Sequence, residues 1–158
     1  MGYFDGASQD KGNKCGAGAF LKLRDSSFWI RMNCVHGTNT RGEFLALWCL
    51  LFFASTLNIT HFQLLCDSKV IVEWFNNRAR LQVATLNGWK QRIRRLEEQI
   101  IHLPLMHIFR DFNKEANTLL KEALLLEEGF LMVTTGIGNE HSLTNPLRSS
   151  NFCTYDFI

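Results

Sequence analysis

Three carboxylates stand where one kind of chain pattern gives way to another. Asp5 closes the strand-like fragment GYFD, just before Gly6. Asp67 follows the apolar run 62–66, and a second apolar run with helical spacing starts at once. Glu43 falls in the first turn of a helical pattern that opens at Arg41. Each has a local explanation. Asp5 suits an Asx-turn, Glu43 suits a helix start by about 0.3–1 kcal/mol, and Asp67 suits an N-cap. Taken together they suggest chemistry. If the first and fourth strands are parallel neighbours, all three acids reach one edge of a sheet. Clustered carboxylates raise one another's pKa and stay ionised only beside a cation. Hard oxygen ligands with open positions suit Mg²⁺ or Mn²⁺. Two such ions about 3.5–4 Å apart can clamp an in-line phosphoryl displacement.

The elements that must position these acids can be read from periodicity. The fragment GYFD reads as a strand that runs into a turn at Gly6-Ala7-Ser8. Residues 15–23 and 28–35 read as two more strands, joined by a hairpin turn at 24–27. A helix is expected over 41–57, with Phe44, Leu47, Leu51 and Ala54 on one stripe. Apolar groups nearly encircle it, so both sides should be covered. Residues 62–66 read as a fourth strand, 68–75 as a short helix and 86–101 as a helix with Trp89, Ile93, Leu96 and Ile100 inward. A fifth strand over 104–110 and a last helix, capped by Asn113 and running to about 128, complete the pattern. The expected fold is α/β: a five-stranded mixed sheet, three antiparallel strands then two parallel, flanked by helices. One domain is expected over 1–131. Residues 132–158 lack a sustained period and read as a flexible tail, with Phe152, Tyr155 and Phe157 free to dock.

Bulk properties narrow the class. A chain of 158 residues that is 46% hydrophobic is long enough for one core and is not disordered. The net charge of +2 does not by itself mark a nucleic-acid binder. The basic residues Arg78, Arg80, Lys90, Arg92, Arg94 and Arg95 form a run without an acid, either a solvated helix face or a nucleic-acid contact. Cys15, Cys34, Cys49, Cys66 and Cys153 show no CxxC spacing and read as buried thiols of a reducing, intracellular compartment. The first residues, MGYFDGAS, lack the basic start and apolar block of a signal peptide and do not read as one. The longest apolar run, 44–54, falls well short of the roughly 20 residues of a membrane span.

Four segments, in order, carry a resemblance: YFDGAS, TNTRGEFLAL, LLCDSKVIVEWF and HIFRDFNKEANTLLKEAL. Together they resemble the type 1 ribonuclease H family, and most nearly its plant, retroelement-derived domains. The likeness extends over residues 2–129. It implies endonucleolytic cleavage of the RNA strand of RNA–DNA hybrids with two Mg²⁺ or Mn²⁺ ions. It makes Asp5, Glu43 and Asp67 metal ligands and catalytic residues. The family's fourth carboxylate, in an EAD-like triplet, is here Asn117 of Glu115-Ala116-Asn117, a neutral group whose carbonyl oxygen can still face a cation. The family's histidine loop has no room in 110–113, and the first strand reads as shorter than usual. Gly12 and Cys15 fall where the family approaches the RNA strand, Thr38, Asn39 and Thr40 where it touches the hybrid, and Ser68 beside the phosphate. The basic run falls where many members hold the DNA strand, with Trp74 and Trp89 either core or binding. A monomer is expected, and the resemblance leaves open an earlier fusion to a reverse transcriptase. The alternative is a catalytically inactive module that binds hybrids or double-stranded RNA.

Overall fold

The structure is a computed structural model that describes residues 1–137 and 142–143. Its strands are β1 (Gly2–Gln9), β2 (Lys14–Lys22), β3 (Ser27–Asn33), β4 (Leu64–Cys66), β5 (Leu105–His107), β6 (Leu131–Gly136) and β7 (Ser142–Leu143). Its α-helices are α1 (Asn39–Thr56), α2 (Lys69–Phe75), α3 (Asn87–Glu98) and α4 (Lys114–Ala123). One sheet runs in the order β5-β4-β1-β2-β3-β6-β7. The β1–β2–β3 meander is antiparallel, and β4 and β5 join it in parallel. The expected α/β mixed sheet is therefore present.

Two differences from the sequence reading have physical causes. First, β1 does not stop at Asp5. It continues through Gly6, Ala7 and Ser8, which pair with Ala17, Gly16 and Cys15. The turn comes later, at Asp10, Lys11 and Gly12, where φ is 51°, 56° and 91°. The small residues that imitate a turn serve close packing instead. A Cβ on Gly6 would lie 2.0 Å from the carbonyl carbon of Gly42 and 2.2 Å from the amide of Glu43. Second, the sheet has seven strands among the described residues, not five. β6 pairs antiparallel with β3, and β7 with β6. Part of the expected tail is thus strand, while Phe152, Cys153, Tyr155 and Phe157 lie outside the described residues. The signal was weak because β6 mixes buried Leu131, Val133 and Thr134 without strict alternation.

Two helices cover the sheet where the site forms. In α1, Phe44, Leu45, Leu47, Leu50 and Leu51 are fully buried, as its encircling apolar pattern predicts. The helix starts at Asn39, two residues early, because the Thr38 hydroxyl accepts the Arg41 amide hydrogen at 3.1 Å and caps it. On β2, glycine lets α4 approach: a Cβ on Gly18 would meet Ala116 O and Leu120 N at 2.4 Å each. Trp74 and Trp89 are both buried, which settles them as core. Trp89 meets Trp48 edge-on at 5.4 Å. Among the described residues, no helix is long and apolar enough to cross a membrane.

Candidate active site

Parallel pairing brings the first two acids together. Gly2 pairs with Leu64 and Tyr3 with Leu65, so two steps further along each chain stand Asp5 and Asp67. β4 ends at Cys66, and α2 is capped by Ser68, whose hydroxyl accepts from Ile71 N. Asp67 is therefore not the cap, and its carboxylate is left for another role. The Gly6–Gly42 contact then sets α1 hard against β1 and carries Glu43 to the same place. Asp5, Glu43 and Asp67 line one open cavity of about 240 Å³ with Gly6, Ala7, Asn39 and Arg110.

Each acid is oriented by a neutral donor. Asp5 accepts from Gly6 N at 2.9 Å and from Asn117 Nδ2 at 3.1 Å. Glu43 accepts from the Ser68 hydroxyl at 2.9 Å. Asp67 accepts from Asn113 Nδ2 at 2.9 Å, and the same nitrogen donates to the Phe4 carbonyl at 2.9 Å. Burial raises the pKa of Asp5, and the charge of Asp67 adds to the rise. The Asn117 and Gly6 hydrogen bonds and the Arg110 charge oppose it. Burial also pushes Glu43 up to about 7, with Asp5 and Asp67 adding and the Ser68 bond opposing.

These shifts are those of part-buried carboxylates that crowd one another. Among the described residues, no three His, Cys, Asp or Glu side chains form a ready cage for a metal ion. The donor set still fits a hard divalent cation: three carboxylates from three segments face one cavity, and each keeps acceptor capacity beyond its hydrogen bonds. Asn117 presents its NH₂ to Asp5, not the carbonyl oxygen expected to face a cation.

Two residues of this place escaped the sequence reading. Arg110 lines the cavity. Asn113 occupies the N-cap position of α4 but makes no cap hydrogen bond, and reaches back to β1 and Asp67 instead. A buried asparagine before a helix is indistinguishable in sequence from a cap. Its Oδ1 is buried with no hydrogen-bond partner among the described residues.

The expected nucleic-acid contacts divide into rim and support. Gly12, Thr38, Asn39 and Thr40 lie at the β1–β2 turn and the start of α1, with Gly37 N donating to Gly12 O at 2.9 Å. Asn39 is exposed, yet its Oδ1 accepts from Ser8 N at 2.8 Å and Ser8 Oγ at 3.2 Å, tying α1 to β1. Cys15 is fully buried, and its thiol donates to Thr38 O. Its side chain supports the rim from beneath. Ser68 orients Glu43. In the basic run, Arg94 lies 4.3 Å over the Trp74 ring and donates to the Trp74 and Phe75 carbonyls, a structural use. Arg78, Arg80 and Lys90 line a larger cavity of about 800 Å³ between α2 and α3.

This sheet order and helix placement define the ribonuclease H-like fold. Residues 3–123 match the reverse transcriptase-like family, and the chain belongs to it. No curated protein matches the chain by sequence. Among solved structures, RNase H1 of the halophilic archaeon Halobacterium salinarum is similar with a TM-score of 0.71 at 24% identity, over 78% of this chain and 95% of that one. The N-terminal RNase H domain of a Mycobacterium tuberculosis protein gives 0.69 at 21%, over 78% and 92%. LC11-RNase H1, solved in complex with an RNA/DNA hybrid, gives 0.63 at 23%, over 78% and 94%.

Proposed function

We propose that this chain is a metal-dependent endonuclease that cuts the RNA strand of RNA–DNA hybrids, at a rate held down by Asn117. The observation that carries this reading is the meeting of Asp5, Glu43 and Asp67, from three separate segments, in one open cavity. The fold match to RNase H1 structures, one of them holding a hybrid, supports it. Membership of the reverse transcriptase-like family is in keeping with a retroelement ancestry.

In this reading Asp5, Glu43 and Asp67 hold Mg²⁺ or Mn²⁺. Bound there, the metal supplies an activated water and charge stabilisation at the phosphate. The remaining work belongs to the chain. Gly6 N–H, Ser68 and Asn113 hold the carboxylates in position. Gly12, Thr38, Asn39 and Thr40 face the shallow groove, where a 2′-hydroxyl distinguishes RNA from DNA. Arg78, Arg80 and Lys90 attract the DNA backbone in a salt-dependent, sequence-independent way. In this reading the protein acts as a monomer, and it works inside the cell, in keeping with buried free thiols at Cys15, Cys34, Cys49 and Cys66.

One observation favours a second reading, an inactive hybrid-binding module: the neutral Asn117 amide stands where the family has its fourth carboxylate. Incubation with a labelled hybrid and Mg²⁺ or Mn²⁺ separates the two. Weak cleavage is expected. Asp67→Asn should lower it by at least about 100-fold, the scale of several kcal/mol of lost metal stabilisation. Asn117→Asp should strengthen it. Binding without cutting by every version would establish the module instead.

A further inference from the structure

Beside the carboxylates the chain turns in a way that leaves two aromatic rings in the open. His107 of β5 pairs with Cys66, the residue before Asp67, and Ile108 N donates to Cys66 O at 2.9 Å. On the far side of the turn, Asn113 Nδ2 donates to Asp67 Oδ1 at 2.9 Å. Residues 109–112 are therefore a bridge tied at both ends to the close of β4. Within it Phe112 N donates to Phe109 O at 2.9 Å and closes a single tight turn. Such a turn holds its first and fourth Cα atoms within about 7 Å of each other. Phe109 and Phe112 occupy those two places, and they are 74% and 72% exposed. The exposed His107 ring meets Phe109 edge-on, with centroids 6.2 Å apart. Arg110, between the two phenylalanines, lines the carboxylate cavity.

Scattered exposed apolar side chains need no explanation, but two large rings in one turn at the mouth of a site do. The surrounding charge favours a polyanion, since Arg110 and Lys114 outweigh Asp111. Aromatic rings set among cations hold single-stranded nucleic acid, because bases stack on the rings while the cations follow the phosphates. Bases inside a duplex already stack on one another, so only unpaired bases can use such rings. The inference rests on the nuclease reading, in which the RNA strand crosses the carboxylates. The strand that continues onto the adjoining turn is then RNA.

We propose that Phe109 and Phe112 form a stacking platform for unpaired bases of the RNA strand where it runs on from the hybrid, so that the chain prefers hybrids with such an overhang.

Fluorescence anisotropy with the full chain tests this, with Ca²⁺ in place of Mg²⁺ and gels to confirm that the probes stay intact. The probes are a blunt RNA–DNA hybrid, the same hybrid with a short RNA overhang at one end or the other, and the matching DNA overhangs. Each RNA overhang carries a fluorescent purine analogue whose emission falls on stacking. One of the RNA overhangs should tighten binding about tenfold over the blunt hybrid, the scale of one base on one ring, and its emission should fall. The double variant Phe109→Leu with Phe112→Leu stays apolar but lacks the rings, and it should erase both effects. Phe109→Trp with Phe112→Trp should keep both. The two positions are exposed, so these changes should leave the fold intact, which circular dichroism checks. Equal affinity of the wild type for blunt and overhung hybrids would overturn the platform and leave the nuclease reading standing. So would a gain that survives the leucine variant, or an equal gain from a DNA overhang. Failure of the wild type to bind any hybrid would overturn both readings.

Discussion

At the scale of single residues, Glu43 is the group whose ionisation opposes the folded state of the metal-free chain. Its pKa rises from 4.5 to about 7 because burial and two neighbouring carboxylates disfavour its charge. The sign follows from proton counts. Between those two values the folded chain keeps a proton that the unfolded chain has lost, so stability falls as pH rises through that window. Below it both states are protonated, and above it the loss is complete. Asp5 shifts in the same direction, so it shares the effect. In a chelating buffer, the melting temperature of the wild type should drop between about pH 4.5 and about pH 7. Glu43→Gln should reduce that drop by about 3 °C, on the scale of 1 kcal/mol in a chain this size after allowance for partial exposure. A variant with the wild-type slope would show that folding does not raise the Glu43 pKa. The three acids were legible in the sequence because each sits at a junction between patterns. Arg110 and Asn113 were not, because Asn113 reaches partners 46 and 109 residues away, beyond the view of any local pattern.

At the scale of elements, the cavity depends on how closely a helix can lie on a strand. α1 meets β1 backbone to backbone at Gly6 and Gly42, and α4 meets β2 at Gly18. The first contact delivers Glu43 and the second delivers Asn117. In Gly6→Ala the new methyl would press on backbone that cannot rotate away, so α1 must shift as a body. A loss of about 3 kcal/mol is expected, at the upper end for an overpacked core. Urea denaturation measures it, and hybrid cleavage should fall in the same variant because Glu43 moves with α1. An unchanged urea midpoint would mean that the helix is not seated on that glycine. Here sequence reading was half right. Element types and order were visible from apolar spacing, including the encircled α1. The role of Gly6-Ala7-Ser8 was not, since small residues serve a turn and a close approach equally well, and only the helix lying across them distinguishes the two.

At the scale of the whole molecule, the sheet has to finish somewhere, and it does not finish at β3. β6 covers the β3 edge through six paired positions, from Ser27↔Gly136 to Met32↔Leu131. It buries Leu131 and Val133 at 4% exposure each, and Thr134 Oγ1 accepts from Arg31 Nη1 at 2.9 Å. Arg31 also pairs with Glu122 of α4, so β6 braces the strand that anchors the helix carrying Asn117. Without it, β3 would present a row of unpaired backbone groups, a template for pairing with other chains. A chain ending at residue 129 should therefore lose about 3–6 kcal/mol from the two buried side chains alone, and it should associate at its open edge. A chain ending at residue 137 keeps β6 and should hold most of the full-length stability. Chemical denaturation and light scattering on the two truncations read both effects. If the shorter one melts with the full chain and stays monomeric, β6 is an ornament on a sheet that was already complete. If it melts early, the folding unit that holds the three acids extends through Gly136.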